Sequence, residues 1–130
     1  MRLSVLMVLG LTACGPQSVR VVMNAENNSG QAGFATLTPL GAARTRVEVD
    51  IAPSNDSRPQ AAHVHEGRCG QIGPVKAGLT ELKPDAAKQG RFTSSTEVAV
   101  GLAELQRAEF AINVHDARDF SLYVSCGEIK

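Results

Sequence analysis

The stretch Thr45-Arg46-Val47-Glu48-Val49-Asp50-Ile51 decides the fold class. Val47, Val49 and Ile51 fall on one side of an extended chain, and Arg46, Glu48 and Asp50 on the other. A period of two is the signature of a strand with one dry face and one wet face. Outward from it, similar short runs recur between turn residues. Val19–Ala25 precedes the turn cluster Asn27-Asn28-Ser29-Gly30, with Met23 expected in the core, and Gly33–Thr38 ends at Pro39 to Gly41. Beyond the polar loop Pro53–Pro59 come Ala61–Glu66, a Gly-rich connection Gly67–Gly73, and Val75–Leu82 ending in a Lys83-Pro84-Asp85 turn. Arg91–Val100, one helical turn at Leu102–Arg107, Phe110–His115 and Ser121–Ile129 complete the chain. About eight strands at this spacing predict an all-β sandwich or barrel.

Composition agrees. At 130 residues the chain is long enough for one domain. With 43% hydrophobic and 20% charged residues it is not a disordered tail. Thirteen basic and thirteen acidic residues give zero net charge, so no basic field exists to attract nucleic acid. Trp is absent and aromatics reach only 4%, which leaves a core of Val, Ile, Leu and Ala.

The amino terminus reads as an address. Arg2 precedes an apolar run, Leu3 to Leu11, that is too short to cross a bilayer but suits a signal-peptide core. The run ends in Leu11-Thr12-Ala13-Cys14, which resembles the lipobox of bacterial lipoproteins. That resemblance implies a signal peptide over 1–13, lipid on Cys14, a tether over 14–18 and a folded domain over 19–130. It also implies anchoring to a membrane of the bacterial cell envelope. Acyl chains contribute about 0.8 kcal/mol per buried CH₂, and several together anchor stably. Of the three cysteines, Cys69 and Cys126 then remain as a pair in an oxidising compartment, where a disulfide is expected.

All three histidines lie in two predicted strands. His63-Val64-His65 sends two imidazoles to one face, with Cα atoms about 6.5–7 Å apart, and Val64 to the other. His115 ends a later strand and completes a trio if the two strands are neighbours. Three neutral imidazoles suit Cu(II), Cu(I) or Zn(II).

His63-Val64-His65-Glu66, Asn113-Val114-His115-Asp116 with Asp119, and Tyr123-Val124-Ser125-Cys126-Gly127-Glu128-Ile129 together resemble motifs of the copper/zinc superoxide dismutases. The resemblance implies a Greek-key sandwich, copper on His63, His65 and His115, and a Cys69–Cys126 bridge. It also gives Asp119 the role of orienting metal-bound imidazoles. No histidine occurs between His65 and His115, so the bridging ligand and zinc site have no counterpart and copper is the implied cofactor. Tyr123 stands where that family keeps an anion-guiding arginine; Arg118 is a nearby candidate substitute but reads first as a charged loop residue. The functional expectations are therefore a copper-holding envelope lipoprotein with weak superoxide dismutation, a copper-only dismutase, or a metal-free adhesive scaffold.

Overall fold

The computed structural model describes Gly10 and residues 17–130. The expected signal peptide over 1–13 (Gly10 aside) and the expected lipid attachment at Cys14 lie outside the described residues. Eight antiparallel strands form one closed barrel: β1 (Val19–Ala25), β2 (Gly33–Pro39), β3 (Thr45–Ile51), β4 (Gln60–Arg68), β5 (Gln71–Asp85), β6 (Arg91–Val98), β7 (Phe110–His115) and β8 (Tyr123–Ile129). A short helix α1 (Leu102–Arg107) joins β6 to β7 and buries Leu102 and Leu105. Around the barrel the order is β1-β2-β3-β6-β5-β4-β7-β8.

Closure is thin at two seams. β1 meets β8 only at Asn24–Cys126 and Ala25–Ser125, and β5 meets β6 only from Lys83 to Asp85. Between these seams two halves face each other across a core that includes Met23, Leu37, Val47, Val49, Ile51, Val64, Phe92 and Ile112. The alternation in β3 is realised: Val47, Val49 and Ile51 are buried, while Asp50 reaches outward to Arg91 on β6 at 2.6 Å. Burying one such side chain contributes about 1.5–3 kcal/mol, so the inner faces supply the main drive to fold.

Two connections differ from the sequence reading. Gly67–Gly73 is no loose loop, because β4 and β5 run through it as a hairpin whose tip is Cys69-Gly70. Gly67 makes this fit, with φ of +98° and a position where a Cβ would stand 2.4 Å from the Gln71 carbonyl oxygen. Lys83-Pro84-Asp85 is strand, not turn. There β5 has lost β4 as a neighbour and pairs only with β6, so Pro84's missing N–H is tolerated as at a sheet edge. The chain reverses instead at Gln89 and Gly90, both at positive φ.

Candidate functional site

β4 and β7 are hydrogen-bonded neighbours, with His63 opposite Asn113 and His65 opposite Ala111. Val64 between the two histidines is fully buried in the core, so both imidazoles stand on the outer face of the barrel. His115, two residues beyond Asn113, ends β7 on that same face. The topology therefore brings the three histidines together: ring centroids are 5.5 Å apart for His63 and His65, 5.1 Å for His63 and His115, and 6.3 Å for His65 and His115. One ring nitrogen from each lies within 4.8 Å of the others.

Hydrogen bonds decide which nitrogens face inward to the cluster. His65 Nδ1 lies 2.9 Å from the Gly73 carbonyl, and His115 Nδ1 lies 2.7 Å from the Phe120 carbonyl. A carbonyl only accepts, so both Nδ1 atoms carry protons and both Nε2 atoms keep a free lone pair. His65 Nε2 is buried with no hydrogen-bond partner. His115 Nε2 and His63 Nδ1 face each other at 3.1 Å, the His63 tautomer deciding which way a proton between them points. The convergent set is thus His63 Nδ1, His65 Nε2 and His115 Nε2. Burial, and then the repulsion a protonated His63 meets when His115 or His65 is protonated too, hold the His63 imidazole below its usual pKa, which favours the neutral form that ligation requires.

The surroundings are partly apolar. The Tyr123 ring stands edge-on to His115 at 5.1 Å, and exposed Phe120 lies 6.0 Å away. Cys69 and Cys126 are disulfide-bonded with Cα atoms 5.9 Å apart. The bridge ties the β4–β5 hairpin to β8, and that hairpin carries the Gly73 carbonyl that orients His65.

One neighbour sits differently from the sequence expectation. Asp119 does not reach a histidine; it is exposed, and its carboxylate accepts from the Ser121 backbone N–H at 2.9 Å and hydroxyl at 2.6 Å. Those bonds hold its carboxyl below the usual range. The orienting role falls to the Phe120 carbonyl, because the tight β7–β8 connection brings backbone closer to His115 Nδ1 than any carboxylate. Arg118 faces Asp56 at 3.5 Å and Asp116 at 3.7 Å, so nearby carboxylates already offset its charge. Gly73 and Phe120 act through backbone oxygen and leave no mark in a sequence. Tyr123 and Asn113 were legible in principle, since Tyr123 opposes His115 across the ladder and Asn113 shares its face by alternation.

An all-β barrel bearing one trihistidine cluster and one cross-strand bridge is the class that fold and site define. The chain belongs to the CHRD domain family, whose pattern matches residues 13–122. No curated protein and no solved structure matches it. This overturns the resemblance to copper/zinc superoxide dismutases. The blocks behind that resemblance are short and turn on three histidines and a cysteine, residue types that any strand-borne metal site or bridge requires. The family pattern instead spans most of the chain. No helix among the described residues is long and apolar enough to cross a membrane.

Proposed function

We propose that this CHRD domain is an exported metal-binding module that holds one copper ion through His63 Nδ1, His65 Nε2 and His115 Nε2. The observation that carries the reading is the convergence of one ring nitrogen from each of the three histidines within 4.8 Å, with His65 Nε2 buried and unpartnered. A buried polar atom without a partner is uncommon in a folded protein, and a cation beside it resolves the deficit. The Gly73 and Phe120 carbonyls support it further, because such outer bonds fix the tautomer and raise the basicity of a ligating imidazole. Copper is favoured over zinc by the general order of divalent affinities for nitrogen donors. Bound copper would supply one-electron redox chemistry; the chain's own residues bind and orient it.

The Cys69–Cys126 bridge supports an oxidising compartment, consistent with an envelope lipoprotein anchored to a membrane through Cys14. The order β7-β4-β5-β6, in which β7 returns beside β4, supports reading the barrel as a Greek key. Superoxide as a substrate has thinner support, since Arg118, the candidate anion guide, is paired with carboxylates.

Metal loading tests the reading. Purified protein is mixed with Cu(II), dialysed, and its copper counted. One equivalent per chain is expected, with loss in His65→Ala and His115→Ala variants that still fold. Zero bound copper in the parent protein refutes the reading and leaves a bridged scaffold. A superoxide assay on the loaded protein, with His63→Ala as control, decides whether dismutation accompanies binding.

A further inference from the structure

Asn113 has no exposed surface, and neither its Nδ2 nor its Oδ1 has a hydrogen-bond partner. Buried side-chain amides are normally satisfied, so two orphaned atoms on one residue call for a ligand. The ladder fixes its place. Asn113 lies directly opposite His63 on β4 and Cys126 on β8, and two residues before His115 on its own strand. His65 faces Ala111, two residues the other way. All three histidines therefore surround this one position on the outer face.

Height above the sheet matches as well. His63 would ligate through Nδ1, which is three bonds from its Cα, as Asn113 Oδ1 is from its own. Cβ atoms of directly opposed residues stand about 4.5–5.5 Å apart. An ion held by His63 Nδ1 therefore sits low, level with the Asn113 carboxamide. On its other side Asn113 faces the Cys69–Cys126 bridge, and sulfur is only a weak acceptor. Ala111, the preceding residue on that face, offers no polar group.

We propose that Asn113 belongs to the metal centre, its carboxamide oxygen supplying a fourth, weak ligand beside the three imidazoles. The inference rests on the trihistidine reading. Its chemical consequence is selective. A neutral hard oxygen favours Cu(II) over the softer Cu(I), so Asn113 biases the site toward the oxidised ion.

The test compares Cu(II) and Cu(I) affinities, and the Cu(II) electron paramagnetic resonance spectrum, in the parent chain, Asn113→Leu and Asn113→Asp. Leucine is near in volume and removes two unpartnered polar atoms, so the metal-free variant is expected to melt at or above the parent temperature. It should bind Cu(II) roughly 10-fold more weakly with altered copper hyperfine splitting, while Cu(I) affinity stays within about twofold. Aspartate, which keeps the oxygen and adds charge, should bind Cu(II) at least as tightly as the parent. A leucine variant with the parent's Cu(II) spectrum and affinity overturns the proposal. So does an equal loss for both ions, which marks a packing role. If the leucine variant fails to fold, an aspartate variant that binds Cu(II) more weakly than the parent overturns it instead. A parent chain that binds no copper refutes the trihistidine reading itself, and the Asn113 proposal with it; copper bound by the parent and lost in His65→Ala separates the two.

Discussion

Replacing Cys69 and Cys126 by serine together removes a cross-link that closes 57 residues of chain. On the chain-entropy account a loop of that size constrains the unfolded ensemble by about 4 kcal/mol. A domain of this size has only about 5–15 kcal/mol of stability, so the variant should fold but with a large fraction of its margin gone. With a urea slope of about 1–3 kcal/mol per molar, the unfolding midpoint should fall by roughly 1.5–4 M. The structure adds a second effect. The bridge pins the hairpin tip whose Gly73 carbonyl accepts from His65 Nδ1 at 2.9 Å. Freed from β8, that tip no longer fixes the His65 tautomer, and copper affinity should weaken about tenfold, the usual effect of losing such an outer bond. Urea unfolding followed by circular dichroism reads the first effect, and competitive copper titration below the unfolding transition reads the second. A midpoint shift under about 0.5 M would refute the loop argument and point to residual structure in the unfolded chain. Unchanged copper affinity in the folded variant would refute the claim that the bridged hairpin orients His65.

Three further outcomes are expected. Tyr123 is the only tyrosine in a chain without tryptophan, and its ring lies 5.1 Å from His115; Cu(II) should quench its emission, saturating at one equivalent, and His115→Ala should abolish the quenching. Partial burial pushes the Asp50 carboxyl up, but Arg91 at 2.6 Å and Lys88 at 3.2 Å outweigh it and hold it below the usual range. Its contribution is then complete above about pH 4 and is lost as pH falls through the lower folded value. Asp50→Asn should flatten that acid limb by about 1 kcal/mol or less, since the pair is half-exposed, as measured by urea midpoints between pH 6 and pH 2. Gly67→Ala forces a left-handed backbone and a clash with the Gln71 carbonyl, so stability should fall by about 1–3 kcal/mol in thermal melts.

The amino-acid sequence by itself determined the strands whose signals are local. β3 is legible because Val47, Val49 and Ile51 alternate with charges, and β7 because Phe110, Ile112 and Val114 recur at every second position. His63 and His65 share a face for the same reason, since strand geometry places every second side chain together. The pairing of Cys69 with Cys126 follows from the cysteine count once Cys14 is set apart. Tertiary structure alone decided the rest. Whether His115 meets the pair depends on β7 lying beside β4, an adjacency set by how the whole chain closes. The Gly-rich stretch is a hairpin because β4 and β5 stay paired through it as far as Arg68 and Gln71. Pro84 lies within a strand because only one side of β5 is paired there. The carbonyls of Gly73 and Phe120 orient imidazoles through an atom every residue possesses, so no residue type marks them. Local periodicity is written in side-chain chemistry, whereas strand neighbours and backbone acceptors are set by long-range packing, where the same short motif can serve unrelated ends.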